Sequence, residues 1–302
     1  MIVQFIHTFN SLKWILILSL LFMGCSYFND LSNHDSDFII YKSINGPLTN
    51  MSFVFIHSGE FYMKGISETT ENKLLRNIKG FYLQTTEVTQ AQWQEVMNYN
   101  PSYCKQCGTD CPVENITWYE IQTFIKKLNK LDIQGTYRLP TYGEWLYAAC
   151  KGTPTRYSWG DNFQCDKMNC RNDLKCKNNC TETMKSKGFS IKSTVPVKSF
   201  PPNNLGLYDM NGNVWEHVYN CTIKDPSKLD NVDYYCSPKP TVPHSSYNYP
   251  YIIVVSKGGG WEEFSSAKRN DKCSNCQATD TMFSTTHSKS KAIGFRLLKE
   301  IP

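Results

Sequence analysis

Three absences narrow the field before any motif is read. No block of five like charges occurs along the 302 residues, although the formal net charge is +5. Scattered lysines of this kind read as solvated surface, so nucleic-acid and membrane-surface binding gain little support. No apolar run reaches the length of about 20 residues that a bilayer span requires. The strongest run, Trp14 to Met23 within "WILILSLLFMGC", holds ten apolar or small residues. Repeats and low-complexity tracts are missing too, which removes solenoids and arrays. With 40% hydrophobic and 14% aromatic residues, the chain can still pack a sizeable core, though it is short for two large domains.

The short apolar run has one cationic neighbour, Lys13, and reads as the hydrophobic part of an export signal. It closes on Gly24-Cys25, which resembles a bacterial lipobox and would make Cys25 the lipidated first residue of the mature chain. A plain signal peptide or an uncleaved short anchor are the alternatives. The polar stretch after it reads as a tether. The expected organisation is therefore an export signal over 1–24, a tether over 25–50 and a folded domain over 51–302. The expected location is outside the cytoplasm, lipid-anchored to a bacterial membrane.

Thirteen cysteines fit export, because an oxidising compartment pairs them. Without Cys25 twelve remain, an even number that predicts six disulfides. "CGTDC", Cys107 to Cys111, is the most favourable local pair, since Gly108 allows a tight loop. Zinc is the rival, from the spacing of Cys104-x2-Cys107 and Cys273-x2-Cys276. It would need thiolates kept reduced. A redox role for Cys273 and Cys276 would need a helix start after them, and "QATDT" is a poor one.

Three helix starts are legible from capping signatures. Thr89 with Gln92, Thr117 with Glu120 and Thr141 with Glu144 each place a hydroxyl at N-cap and an amide or carboxylate three residues on. Val88 with Trp93, and Ile116 with Ile121, add hydrophobic staples to the first two. In the second helix Ile121, Phe124, Ile125, Leu128 and Leu131 form the inward face, with Lys126, Lys127 and Lys130 outward. The third is expected to stop near Lys151-Gly152. Strands are expected at 53–57, 251–256 and 294–298, while 153–205 and 222–250 carry no period.

Taken in order, "FVFIHSGEFYMKG", "TTEVTQAQWQEVM", "CPVENITWYEIQTFIKKLN", "YRLPTYGEWLYAACKG", "YSWGDN", "VKSFPPNNLGLYDMNGNVWEH", "KGGGW" and "IGFRL" resemble the formylglycine-generating enzyme (sulfatase-modifying factor) family over residues 51–299. The resemblance implies an α+β, irregular, C-type-lectin-like fold, low in regular secondary structure and rich in disulfides. The founding enzymes use copper, oxygen and two cysteines to oxidise a sulfatase cysteine to formylglycine. Counted from Lys257, those cysteine positions are Glu263 and Lys268 here. Neither can replace a soft thiolate, so copper is not expected. Another branch of the family holds iron through H-x3-H-x-E. The six histidines, at 7, 34, 57, 217, 244 and 287, do not form that motif.

In "DMNGNVWE" every side-chain donor is an oxygen, as a hard cation prefers. The resemblance implies a calcium ion on Asp209, the Gly212 and Val214 carbonyls, and Glu216. An Asx-stabilised turn is the alternative. A second family site would use Asn169 and the Cys170 and Phe189 carbonyls, but its carboxylate position falls near Lys187.

The leading functional expectation is a non-catalytic binding or scaffold module for a protein or surface ligand. Its binding surface would be Trp261, Glu262, Glu263 and Arg269, behind the glycines of "KGGGW". An enzyme with altered chemistry around Glu262, Glu263, Arg269 or His287 is a second possibility. A display protein with a variable C-terminal loop is a third.

Overall fold

The computed structural model describes residues 42–64, 73–151, 153, 155–170, 180–190, 192–219, 221–222, 235–236, 253–262, 276–278 and 281–301. The expected export signal, Cys25, Glu263, Lys268, Arg269 and Cys273 lie outside them. The chain opens with strands β1 (Ser43–Asn45), β2 (Ser52–Ile56), β3 (Gly59–Lys64), β4 (Lys73–Ile78) and β5 (Phe81–Gln84). Helices α1 (Gln90–Met97), α2 (Trp118–Leu131) and α3 (Tyr142–Cys150) follow, with β6 (Tyr137–Arg138) between the last two. A short α4 (Thr181–Ser186) precedes β7 (Trp215–His217), β8 (Cys221–Thr222), β9 (Tyr235–Cys236), β10 (Ile253–Lys257), β11 (Thr281–Thr285), β12 (Ile293–Gly294) and β13 (Leu298–Lys299).

Two sheets organise these strands. One has the order β1-β2-β5-β13-β6 and the other β11-β10-β7-β12, with two separate hairpins, β3-β4 and β8-β9. Within the second sheet β12 runs parallel to β7, and β10 runs antiparallel to both β7 and β11. The last strand, β13, lies inside the first sheet, pairing with β5 on one side and β6 on the other. The fold is α+β with little regular structure, as expected.

All three capping boxes form, at Thr89, Thr117 and Thr141. Each satisfies backbone N–H groups that the first helical turn would otherwise leave without partners. Ile121, Phe124, Ile125 and Leu128 are buried, but Leu131 is 63% exposed. It is the last residue of α2, where the inward stripe has already run past the core. Helix α3 ends one residue earlier than Lys151, which takes the left-handed C-cap at φ 51°. Trp93 of α1 stacks on Phe124 of α2 at 5.3 Å, and Phe295 meets Phe124 edge-on at 5.5 Å. The staple residues Val88, Trp93, Ile116 and Ile121 share this core.

Three expectations need correction. The folded part begins before residue 51, because β1 pairs with β2 and Leu48 is buried. "GFRLL" is not one strand but the end of β12 and the start of β13, with Arg296 between them. Disulfides join Cys107–Cys111, Cys165–Cys180 and Cys170–Cys276, yet Cys104 and Cys150 are buried free thiols. They sit in different parts of the core, Cys104 beside Trp261 and Cys150 in helix α3. With Cys107 and Cys276 each bonded elsewhere, neither Cys-x2-Cys pair is a zinc clasp.

Candidate functional site

Strand β10 delivers Lys257 to the glycines. Lys257 is fully buried, with its ammonium 4.5 Å from the centre of the Tyr142 ring. Gly258 and Gly259 then take φ of 90° and 78°, where an L side chain is strained. A Cβ on Gly258 would meet the Trp145 ring at 3.0 Å, and one on Gly260 would meet Trp215 at 2.8 Å. What lies opposite this glycine backbone is therefore the protein's own tryptophans.

The next residue, Trp261, is still buried, and Glu262 after it is half-buried. Trp261 donates its backbone N–H to the Asn213 carbonyl and its indole N–H to the Lys291 carbonyl, both at 3.0 Å. Glu262 pairs with Lys291 at 3.0 Å. Of the expected binding residues, Trp261 and Glu262 are thus placed together, while Glu263 and Arg269 lie outside the described residues. His287 stands apart from them against Tyr119, ring centres 5.0 Å apart.

"DMNGNVWE" is a hub of side-chain bonds to backbone. Asp209 accepts the Lys198 N–H at 2.9 Å, Asn211 the Ser158 N–H at 2.9 Å, and Asn213 the Val195 N–H at 3.0 Å. Gly212, at φ 88°, packs so closely on Asn169 that a Cβ would lie 2.4 Å from its carbonyl. Asn169 spends its amide on the Ser193 carbonyl at 3.0 Å.

Glu216 faces inward and meets Arg296, which sequence reasoning did not single out. The guanidinium donates through Nε to Oε2 and through Nη2 to Oε1, both at 2.7 Å. Its other N–H groups reach the Tyr208, Gln84 and Thr85 carbonyls. Five donors therefore have five acceptors, which an arginine buried to 0% exposure requires. Trp145 adds its indole N–H to Glu216 Oε2 at 2.7 Å. Nearby Glu87 is just as buried, and neither of its oxygens has a hydrogen-bond partner. Burial first, then the charges of Asp209 and Glu216, push its carboxyl well above the ordinary range. Burial first, and the charge of Glu216 after it, hold Asp209 up at about 6 against the Lys198 N–H and the Arg296 charge.

As placed, the two side chains of the expected calcium set already have partners. The charge of Glu216 is met by a bidentate guanidinium, and one oxygen of Asp209 is taken by a backbone N–H. Among the described residues no three acidic, histidine or cysteine side chains converge on one point. Ser256 and His217 lie 3.0 Å apart, but both are buried, and burial pulls the histidine down to about 4.

With this geometry in hand, comparison with known proteins decides the family. A model of the sulfatase-modifying factor enzyme 1-like domain matches residues 43–301. The chain belongs to that family. "Chaperone protein LppX" of Paenibacillus barcinonensis is 28% identical over 243 residues, covering 69% of this chain and 78% of that one. "Inactive C-alpha-formylglycine-generating enzyme 2" of Mus musculus is 28% identical over 189 residues, 62% of this chain but only 48% of its own length. Among solved structures, Treponema denticola variable protein 1 has a TM-score of 0.58 at 21% identity. It covers 87% of this chain and 99% of its own, and shows the shared fold.

Proposed function

We propose that this family member is an exported, membrane-anchored module that binds a protein or surface ligand and does not carry out the family's oxidation. The carrying observation is the replacement of both thiolate positions by Glu263 and Lys268. A carboxylate and an ammonium cannot hold copper as two thiolates do. Cys276 offers no substitute, since it is bonded to Cys170. A relative named inactive and another named a chaperone support a use of this fold without that chemistry. The variable protein of Treponema denticola supports the display reading as a second possibility. Sequencing residues 257–295 in sister strains separates the two, because display requires that segment to vary.

The direct test incubates the protein with copper, oxygen, a reductant and a Cys-x-Pro-x-Arg peptide, following loss of the peptide thiol. No turnover is expected. Robust turnover that is lost in Cys273→Ser would overturn the proposal. Anchoring through Cys25 is tested by fatty-acid labelling, which Cys25→Ala should abolish. Calcium on Asp209, Gly212, Val214 and Glu216 is a separate proposal, supported by its oxygen-only donors and opposed by the Arg296 pairing. A melting temperature that rises with calcium and falls with chelator would favour it.

A further inference from the structure

Lys291 occupies a slot built from residues of two separate segments. Its ammonium lies 5.0 Å from the centre of the Tyr103 ring, 5.3 Å from that of Trp261 and 3.0 Å from the Glu262 carboxylate. Two aromatic faces and one carboxylate around a cation are the chemical make-up of an ammonium-recognition cage. The slot is reachable, because the Lys291 and Glu262 side chains are 35% and 36% exposed and Tyr103 is 64% exposed. Trp261 is itself only 6% exposed, so its ring forms the inner wall of the slot and Tyr103 the outer one.

The walls are held independently of the lysine side chain. Glu114 is wholly buried and accepts the backbone N–H groups of Tyr103 at 3.1 Å and Cys104 at 2.7 Å. Gln90 holds the Cys104 carbonyl at 3.2 Å. Trp261 is fixed through the Lys291 backbone carbonyl, a contact that survives truncation of the side chain. The cage is thus preorganised, which lowers the ordering cost of taking up a ligand.

We propose that Tyr103, Trp261 and Glu262 form a recognition site for a lysine side chain of a protein partner, closed in the free protein by Lys291. This rests on the binding-module reading and names its ligand chemistry. A lysine is the chosen ligand because the present occupant is itself a primary alkylammonium that fits. Exchange is feasible, since an exposed pair of this kind contributes little and its partner swings out at small cost.

The test uses the full-length protein with 15N-labelled tryptophan and titrates n-butylammonium, the lysine side-chain analogue. Trp261→Phe assigns the indole signal. Lys291→Ala should bind butylammonium at least about tenfold more tightly than the wild type, with the Trp261 signal moving. Adding Glu262→Gln or Tyr103→Ala to that variant should remove most of the gain. An unmoved Trp261 signal in Lys291→Ala, or a gain unaffected by the second substitutions, overturns the proposal. Tetramethylammonium binding as tightly as butylammonium overturns the lysine assignment. The copper turnover assay reports on the non-catalytic reading separately, so either idea can fail without the other.

Discussion

Two ion pairs whose cations stand five residues apart in sequence are treated in opposite ways by the fold. Arg296 and Glu216 meet at 2.7 Å with side-chain exposures of 0% and 1%, and every guanidinium N–H has an acceptor. Lys291 and Glu262 meet at 3.0 Å with about a third of each side chain in water, and two aromatic rings supply the remaining contact. The first pair cannot be opened without stranding a charge in the core, so it is a structural fixture joining β7 to the β12–β13 turn. The second can be opened at little cost, because water receives the freed groups. Permanence belongs to the hub and exchange to the rim.

The largest effect should come from breaking the hub. Arg296→Met leaves Glu216 buried without its guanidinium and removes the donors that hold the Gln84, Thr85 and Tyr208 carbonyls. A loss of about 3–5 kcal/mol is expected, read as the shift in denaturant midpoint. Arg296→Met combined with Glu216→Gln should recover part of that loss, since no unpaired charge is left. A single-variant cost below about 1 kcal/mol would show that the hub is not the fixture described here.

Next comes the bridge that holds the rear of the same region. Cys170 and Cys276 are 106 residues apart, whereas Cys107 and Cys111 are 4 apart. Replacing the first pair by alanines should cost about 2–5 kcal/mol, and replacing the second should cost less, because the shorter loop restricts the unfolded chain less. Thermal denaturation of both double variants, at one protein concentration, checks the order.

The hub was also what the sequence concealed. Helix starts at Thr89, Thr117 and Thr141 were legible because a capping box is read within four residues. The glycines of 258–260 were recognised as a close approach, but not that Trp145 and Trp215 were what they approached. Glu216 was marked for its oxygens, and only the fold brings Arg296, 80 residues on, to receive them. The residue pattern "GFR" was in view as a family motif, with no sign of what its arginine would touch. Cysteine parity suggested that all twelve would pair. Pairing depends on non-local distances, and Cys104 and Cys150 have no cysteine partner among the described residues. Leu131 failed for a simpler reason, that helical spacing continues to the end of a helix whether or not the core does.

A smaller effect should appear in the wall of the rim. Burial raises the Glu114 carboxyl to about 7, although the Cys104 and Tyr103 N–H groups and the Lys105 and Lys291 charges pull it the other way. A carboxyl raised on folding keeps its proton where the unfolded chain has lost it. Stability from this group is therefore full below about pH 4.5 and is lost as pH rises towards about 7, by at most about 1.4 kcal/mol per pH unit. Glu114→Gln should flatten that part of the stability profile. An unchanged slope between pH 5 and 7 would mean the carboxylate is held charged.

The smallest effect is expected where the ligand would enter. Lys291→Ala removes an exposed ion pair and two cation–π contacts but leaves the Lys291 carbonyl on the Trp261 indole. Exposed pairs contribute about 0–1 kcal/mol, and exposed cation–π contacts about 0.5–1 kcal/mol. Ordering the long lysine side chain offsets part of this. The net change in unfolding free energy should therefore be within about 1 kcal/mol, several times less than for Arg296→Met. High salt should shrink it further, because both groups are in contact with water. Chemical denaturation of the two variants side by side, in low and high salt, makes the comparison direct. If Lys291→Ala proved as costly as Arg296→Met, the rim would be another fixture and Lys291 could not serve as an exchangeable plug. If it is nearly silent in stability while opening the slot to butylammonium, the lysine is held where a partner's lysine would bind.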